Sequence, residues 1–376
     1  MKYEWFIGLR YLKAKRKQTF ISIITIISIA GVTVGVMALI VVLAVMSGFE
    51  KTLKEKILGT HAHLVLLKVG QEGMDHYEEV AKKVERVKGV VSAAPFIFNQ
   101  VMLSSESNVS GTVLKGIDPD RVGKVTELAQ NLKAGHLEDL KRVQEGELPG
   151  IILGVELAKH LAASIHETIQ VVSPLGTMTP MGMVPKMKRF RVVGTFYSGM
   201  YEIDNTLAYI SLESAQKFFN MGASVTGIEI KTDDIYQVKQ IGKAIRREMG
   251  YSFWTKDWME MNRNLFSALK LEKIAMFIIL VLIVFVAAFN IISTLIMVVM
   301  EKNKDIAILK SMGAPSKGIL KIFIIEGLVI GILGTLLGTI LGLGAAFNLE
   351  KITVFVEDLF GFKILASDVY YIDKLP

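Results

Sequence analysis

The chain has 376 residues, 51% of them hydrophobic, and carries a net charge of +7 with no cysteine. The apolar residues are clustered and the mean hydropathy is positive, which is typical of a protein that spans a bilayer. The absence of cysteine excludes disulfide frameworks and thiolate metal sites. The positive charge requires no nucleic acid, because basic residues beside membrane spans contact anionic lipid headgroups.

Three runs of sequence contain no charged side chain: residues 18–49, 274–300 and 327–349. Each is long enough to cross a bilayer, which takes about 20 apolar residues. They predict transmembrane helices at residues 20–48, 273–300 and 319–348. The first run is longer than the hydrocarbon layer requires, which predicts a stalk beyond the membrane. It is also too long for a signal peptide and lacks a small-residue cleavage site, so we interpret it as a retained anchor.

Basic residues predict the orientation of these helices. One group precedes the first span and is opposed by Glu4 alone: Lys2, Arg10, Lys13, Lys15, Arg16 and Lys17. A second group lies between the second and third charge-free runs: Lys302, Lys304, Lys310, Lys317 and Lys321. Lysine and arginine favour the cytoplasmic side. The segments 1–19 and 301–318 are therefore predicted to be cytoplasmic, and residues 49–272 to lie outside.

Residues 49–272 are numerous enough to form a domain with its own core. Helical periodicity followed by glycine and a strand occurs twice, at residues 77–91 and 235–254. Between these units lie five candidate strands, at residues 150–153, 168–172, 190–194, 207–210 and 227–230. The pattern predicts an α+β domain of two lobes, with an inserted β-rich lobe at about residues 121–232.

Residues 173–189 are predicted to form a long loop between two of these strands. Three prolines stiffen it, and it contains Met178, Met181, Met183 and Met187. Methionine-rich surfaces adapt to several apolar partners, and long ordered loops are often functional. The alternative is a loop folded onto its own domain, and the sequence favours neither.

Small residues recur along the first and third spans. They are Gly31 and Gly35 in the first, and Gly327, Gly331, Gly334, Gly338 and Gly342 in the third. This spacing lets helices approach closely in lipid, either within one chain or with a second subunit. Asn290 lies within the second span. Glu326 begins the third and is expected at the inner membrane interface, and neither residue is interpreted as a proton relay.

The sequence contains no motif of an established catalytic class. It has no phosphate-binding G-x-x-x-x-G-K-[ST] loop, no H-E-x-x-H pair and no G-x-S-x-G elbow. His61 and His63 lie on one face of a predicted strand. Without a third ligand nearby, we interpret them as surface residues and not as a zinc site. The chain is predicted not to be an enzyme.

Three segments resemble the LolC/LolE family of lipoprotein-releasing permeases, within the MacB/FtsX group of ABC transporters. They are Ile27 to Glu50, Ala288 to Gly313, and Thr179 to Pro185. The third looks like the carrier-binding hook of LolC-type subunits. The resemblance runs along the whole chain and implies a bacterial inner-membrane protein with a cytoplasmic N-terminus and a periplasmic domain. Members of the family have a fourth span, whereas this sequence has three, so residues 349–376 are predicted as an extracytoplasmic tail.

The resemblance also assigns roles to residues. The coupling helix, Glu301 to Met312, would contact a LolD-like ATPase through Glu301, Lys302, Asp305, Ile306, Ile308, Leu309, Met312 and Gly313. Its charged face (Glu301, Lys302 and Asp305) would meet the ATPase, and Ile306 and Leu309 would pack toward the spans. A LolA-like periplasmic carrier would bind the loop residues Thr179, Pro180, Met181, Gly182, Met183 and Pro185.

A lipoprotein permease needs an apolar wall for acyl chains at the outer leaflet. The residues assigned to it are Val45, Met46, Phe49, Met276, Phe277 and Leu280, and plain lipid contact is the alternative. The implied assembly also contains a second permease subunit, which is either the same chain or a sister LolC/LolE-type chain. No cofactor is expected on this chain, because ATP and Mg²⁺ would bind the partner ATPase.

Two other functions remain open within the wider group. A MacB-like efflux permease would need an outer-membrane channel partner and no hook. An FtsX-like regulator would activate a periplasmic hydrolase and move no substrate. The size of the external domain argues against the regulator, because FtsX-type proteins have a much smaller one.

Overall fold

A computed structural model describes residue 6 and residues 19–70, 73–141, 147–179 and 182–361. The chain divides into two compact units. One contains Lys51–Phe266 and the other contains Met1–Glu50 and Ser267–Ile364. We refer to them as the external domain and the membrane unit, and each is described by itself.

The α-helices among the described residues are α1 (Thr19–Thr60), α2 (Tyr77–Glu85), α3 (Pro119–Val125), α4 (Val155–His160), α5 (Tyr201–Thr206), α6 (Leu212–Phe219), α7 (Val238–Met249), α8 (Trp258–Met261), α9 (Arg263–Glu301), α10 (Asn303–Ser311), α11 (Ser316–Phe347) and α12 (Leu349–Phe360). The strands are β1 (Leu64–Lys68), β2 (Val90–Ser104), β3 (Val109–Ile117), β4 (Leu132–Ala134), β5 (Gly150–Gly154), β6 (Thr168–Thr179), β7 (Gly182–Phe196), β8 (Leu207–Ser211), β9 (Gly227–Thr232) and β10 (Phe253–Asp257). A short 3₁₀ helix covers Leu137–Leu140.

Three helices, α1, α9 and α11, are long and apolar enough to cross a membrane, as the charge-free runs predict. Mean hydropathy over their most apolar stretches is 2.8, 3.0 and 2.2 respectively. Of the predicted tail, residues 349–360 form α12 and residues 362–376 lie outside the described part of the chain.

Glycines bring α11 against α1 within the membrane unit. A Cβ built on Gly334 would lie 2.7 Å from the Val32 Cβ, and one on Gly338 would lie 2.7 Å from the Thr33 carbonyl oxygen. The Thr33 hydroxyl donates a hydrogen bond to the Gly334 carbonyl at 3.3 Å. Gly331, by contrast, has no atom within 4 Å of its Cβ position. Gly334, Gly338 and Gly342 thus form a contact between two helices of the same chain.

Replacing Gly338 with valine should separate α1 from α11, because the new side chain overlaps the backbone of α1. We expect Gly338→Val to lower the free energy of unfolding by about 1–3 kcal/mol relative to Gly331→Val. The Gly331 variant is the matched control, since it carries the same helix-propensity cost without the overlap. Unfolding in mixed micelles titrated with denaturing detergent measures both. Equal stabilities would show that the close approach does not stabilise the bundle.

One hydrogen-bonded sheet organises the external domain. Its strand order is β10-β1-β9-β2-β3-β8-β5-β7-β4, and β6 pairs with β2 and β7. The pairs β3–β8 and β5–β7 are parallel and the others are antiparallel. Strands from both predicted lobes belong to this one sheet, so the sheet does not separate them. The inserted lobe at about residues 121–232 therefore stays a prediction.

The two helix–glycine–strand units form as predicted. In α7 the residues Val238, Ile241 and Ile245 are buried on one face, as the spacing of apolar residues indicates. Gly89 follows α2 with φ +93°, and a Cβ there would lie 2.8 Å from Ile241. A left-handed backbone and a close approach of α7 therefore both require glycine at this position.

A buried ion pair crosses the sheet. The Lys115 ammonium lies 2.6 Å from a Glu229 carboxylate oxygen, and each side chain is less than a tenth exposed. His63 is also buried, with Nδ1 3.1 Å from both the carbonyl and the hydroxyl oxygen of Thr232. The prediction that His63 is a surface residue is therefore wrong, because β1 lies between β9 and β10 inside the sheet. Burial, and then Lys115, lower the pKa of His61 to about 4.

Removing one charge of the buried pair should destabilise the external domain. Lys115→Met leaves the Glu229 carboxylate buried without its counter-ion, and we expect a loss of about 3–5 kcal/mol in the free energy of unfolding. Lys217→Met is the control, because its partner Glu213 is exposed and such pairs contribute about 0–1 kcal/mol. Urea unfolding followed by the fluorescence of Trp254 and Trp258 compares them. A Lys115 variant as stable as the control would contradict the expectation.

Candidate functional site

The methionine-rich segment of the external domain is a β-hairpin. Strands β6 and β7 continue through the predicted loop and pair from Thr168↔Arg191 to Thr179↔Gly182. The prediction of a loop from residue 173 to 189 is therefore wrong for its described part. Prolines usually end strands, but a projecting two-stranded arm has free outer edges at which they are tolerated. Pro180 and Met181 lie outside the described residues.

The pairing of the hairpin is irregular between Ser173 and Thr177. Gly176 lies within this irregularity, and a Cβ there would come 1.8 Å from the Val184 carbonyl oxygen. Only glycine permits this approach of the two strands. Beyond it, the backbones of Thr179, Gly182 and Met183 belong to the end of the arm.

The returning strand of the hairpin is attached to α6. The Lys186 ammonium donates to the Asn220 Oδ1 at 2.6 Å and to the Lys217 carbonyl at 3.2 Å. Asn220 is the C-cap of α6 and has a left-handed backbone. Burial, and then the charges of Lys217 and Lys186, lower the pKa of Lys188. The sequence indicated the basic residues, but not that Lys186 attaches the arm to the end of α6.

On both sides of this anchor the hairpin exposes apolar side chains. Val184 is 49% exposed and Met187 is 57% exposed, and Pro185 is also at the surface. Val184 and Pro185 therefore give the arm an apolar surface, and the basic residues Lys186, Lys188 and Arg189 follow them toward the sheet.

A cleft of about 370 Å³ lies between α1 and α9 of the membrane unit. Its lining comes from one stripe of each helix: Leu43, Met46, Ser47 and Glu50, and Leu269, Glu272, Lys273, Met276, Phe277 and Leu280. The i, i+3, i+4, i+7 spacing of the first set is that of a single helix face. Four of the six predicted cavity residues line the cleft: Met46, Met276, Phe277 and Leu280.

The other two predicted cavity residues, Val45 and Phe49, are half-buried and do not line the cleft. They are four residues apart, so they share a face of α1 that is rotated away from the lining stripe. Sequence reasoning missed Leu43, Ser47 and Leu269, which the same helical spacing would have found.

Charged groups lie at one end of the cleft. A Glu50 carboxylate oxygen is 2.8 Å from the Lys273 ammonium, and Glu272 is adjacent. Because α1 and α9 run in opposite directions, these residues share one end while Leu43 and Leu280 lie at the other. The cleft combines an apolar wall with a polar rim, which suits a ligand with an apolar chain and a polar head.

The segment between the second and third spans forms the short helix α10. Ile306 and Ala314 pack against the buried residues Val298, Ile319 and Phe323 of α9 and α11. Gly313 follows α10 with φ +90°, which permits the turn into α11. The helix is thus packed onto the spans, and Ile306 has the orientation that the sequence predicts.

The outward surface of α10 differs from the predicted one. Glu301, Ile308 and Met312 are exposed, whereas Asp305 and Leu309 are half-buried. Lys302 is only 4% exposed, so the prediction that it faces a partner is wrong. It lies at the break between α9 and α10, where the chain turns its side chain inward, and its ammonium is 3.4 Å from Asp305.

Within the described ranges, no group of three histidine, aspartate or glutamate side chains is arranged to hold a metal ion.

Two families match the chain. Residues 25–248 match the MacB-like periplasmic core domain, and residues 277–372 match the FtsX-like permease C-terminal family. Together they cover most of the first two spans and of the external domain, and all of the third span. This combination of domains defines the chain as a membrane permease of the ABC transporter class.

Similar proteins specify the family. A lipoprotein-releasing system transmembrane protein LolC from Neisseria meningitidis is 39% identical, over 99% of this chain and 89% of its own length. A LolE from Haemophilus influenzae is 28% identical over 100% of this chain and 90% of its own length. Among solved structures, the periplasmic region of MacB from Actinobacillus actinomycetemcomitans is 14% identical with a TM-score of 0.38, covering 56% of this chain and 94% of that one. The chain belongs to the LolC/LolE family of lipoprotein-releasing permeases.

Proposed function

We propose that the chain is the permease subunit that takes acylated lipoproteins from the outer leaflet of the bacterial inner membrane and passes them to a periplasmic carrier. ATP hydrolysis on a separate, LolD-like subunit drives the transfer. The observation that carries the proposal is the cleft between α1 and α9, because its apolar wall and charged rim match an acyl chain joined to a polar protein. Membership of the LolC/LolE family supports it.

The cleft holds the acyl chains of the substrate in this proposal. Each methylene group buried there contributes about 0.8 kcal/mol, so a chain lying along Met46, Met276 and Leu280 is held without any specific polar contact. Glu50 and Lys273 at the rim lie beside the polar linkage and the first residues of the lipoprotein. The site therefore recognises lipidation and not a particular protein sequence.

The hairpin of β6 and β7 is the docking element for the carrier, a LolA-like protein. Its exposed apolar side chains offer an adaptable contact, and its unpaired outer edges can accept a further strand. The predicted carrier-binding set, Thr179, Pro180, Met181, Gly182, Met183 and Pro185, is assigned to this arm.

The helix α10 is the contact for the ATPase subunit, which binds ATP and Mg²⁺. Its exposed Ile308 and Met312 are large apolar side chains on a short helix, as expected of a surface that a partner covers. A second permease, either a copy of this chain or a sister, completes the assembly. In this arrangement α10 is cytoplasmic and the external domain is periplasmic.

A polar side chain in the cleft should weaken binding of lipoproteins. Phe277→Gln places an amide in the apolar wall, and we expect about tenfold less lipoprotein to copurify, since the amide must be desolvated when an acyl chain enters. Ile274→Gln is the matched control, because Ile274 is exposed on the same helix and does not line the cleft. Copurification of lipoprotein labelled with radioactive palmitate measures the effect. If both variants copurify equally less lipoprotein, the cleft is not the site that binds the acyl chains.

The partner of the hairpin distinguishes the proposed function from its alternatives. We expect a photocrosslinking amino acid at Val184 to capture a soluble lipoprotein carrier in cells, identified by mass spectrometry. The same amino acid at Val109, which is equally exposed elsewhere on the external domain, should not. Capture of an outer-membrane channel adaptor would instead indicate MacB-like efflux, and capture of a cell-wall hydrolase would indicate an FtsX-like regulator.

A further inference from the structure

The helix α12 follows the third span after a single residue and has two distinct faces. Its apolar face contains side chains at helical spacing: Leu349, Ile352, Phe355, Val356 and Leu359. The opposite face carries the charged side chains of the helix: Glu350, Lys351, Glu357 and Asp358. A helix with this distribution is stable where an apolar medium meets a polar one.

The apolar face of α12 is largely uncovered within the described part of the chain. Phe355 is 67% exposed, Leu359 is 66% exposed and Ile352 is 43% exposed. Phe347, the last residue of α11, is exposed as well, so the apolar surface of the third span continues into α12. Large apolar side chains grouped in this way indicate a surface that an apolar partner covers.

The helix α12 is an element of its own and not a continuation of α11. Asn348 separates the two helices with φ −114° and ψ 18°, which are not helical values. The other end of α12 is equally defined, because Gly361 has φ +69° and its amide donates to the Glu357 carbonyl at 2.8 Å.

Neither the hydrocarbon layer nor water suits this helix. Its 12 residues extend about 18 Å, which is less than the ~30 Å that a span must cross. Crossing would also place four charged side chains in hydrocarbon. In water, by contrast, the apolar face would lose about 0.8 kcal/mol for each methylene group left unburied.

Contacts with α1 define the level at which α12 begins. Gly334 of α11 lies against Val32, and Gly342 lies against Ile40, so the two helices run in the same direction in constant register. Continued for six residues, this register places Asn348 level with the part of α1 that lines the cleft. There the apolar wall of the cleft gives way to its charged rim, as expected where a bilayer meets water.

We propose that α12 lies along the outer surface of the bilayer as an interfacial helix. Its apolar face enters the acyl chains, and its charged face is turned to the headgroups and water. The partner of this surface is therefore lipid and not a protein. The inference rests on the proposed function only in naming the leaflet as the outer one, the leaflet from which the substrate is taken.

Depth measurements on the spin-labelled full chain in phospholipid nanodiscs test the inference. The chain has no cysteine, so Ile352→Cys and Phe355→Cys each carry one nitroxide on the apolar face, and Lys351→Cys and Asp358→Cys on the charged face. Collisions with oxygen and with a water-soluble nickel chelate report the depth of each label. We expect the first two labels about 5–10 Å into the boundary between headgroups and acyl chains, and the last two in contact with the nickel chelate.

Two further labels calibrate the measurement. Leu341→Cys is exposed on α11 within the third span and should report hydrocarbon. Val109→Cys is equally exposed on the external domain and should report water.

A charge on the apolar face should release the helix from the lipid. We expect Phe355→Asp to raise the nickel accessibility of the Ile352→Cys label by about fivefold, because a carboxylate is costly to hold among acyl chains. Val354→Asp is the matched control, since Val354 is also exposed but lies on the charged side of α12. Equal effects of the two aspartates would contradict a face-specific contact with lipid.

The other possible occupants give different readings. Nickel accessibility at all four positions of α12 would place the helix in water, and protection of Ile352 and Phe355 from both reagents would show that a protein subunit covers them. Either result would overturn the inference. The proposed transport function is tested separately at Phe277 and Val184, and its failure would leave the depth of α12 as measured.

Discussion

The close approach of α1 and α11 is the constraint on which the membrane unit depends. Hydrophobicity does not drive helices together inside a lipid phase, so association requires van der Waals contact over a matched surface. Gly334, Gly338 and Gly342 supply that surface by placing backbone directly against Val32, Val36 and Ile40. With α11 fixed on α1, α9 packs against both, meeting Gly31 and Gly35 of α1 and Gly327 of α11. It lines the cleft with α1, and it holds α10 and α11 around the cluster at Val298.

The sequence predicted those features that depend on local composition. The spans followed from runs without charge, and α7 from the spacing of Val238, Ile241 and Ile245. Met46, Met276, Phe277 and Leu280 were assigned to the cavity because the family resemblance implies an apolar wall at the outer leaflet, and they lie at the outer ends of two spans; all four line the cleft. What the sequence did not determine was rotation about each helix axis, and this is why Val45 and Phe49 were grouped with Met46 although they do not line the cleft.

Features that depend on distant residues were missed. The prolines at 174 and 185 indicated a loop, whereas pairing between two strands of one arm keeps this segment extended. Lys302 was assigned to an outward charged face because a lysine in a polar segment is normally exposed. Its side chain is turned inward at the break between α9 and α10, where the ammonium lies 3.4 Å from Asp305. A single sequence does not show which of its lysines is buried by the packing of neighbouring helices.

The two strands of the β6–β7 hairpin are held at different points, since β6 pairs with β2 up to Val172 and β7 is attached to α6 through Lys186, and this determines how the hairpin responds to force. Lys186 fastens the returning strand to the end of α6, while the irregularity at Gly176 interrupts the ladder nearby. A force applied at the end of the arm therefore acts on two unequal strands: β7 is attached at Lys186, and β6 is irregular beside Gly176. Lys186 is thus the point about which we expect the arm to bend, and it joins the arm to the end of α6, the helix that directly follows β8. We therefore expect a force on the arm to reach the central sheet through α6.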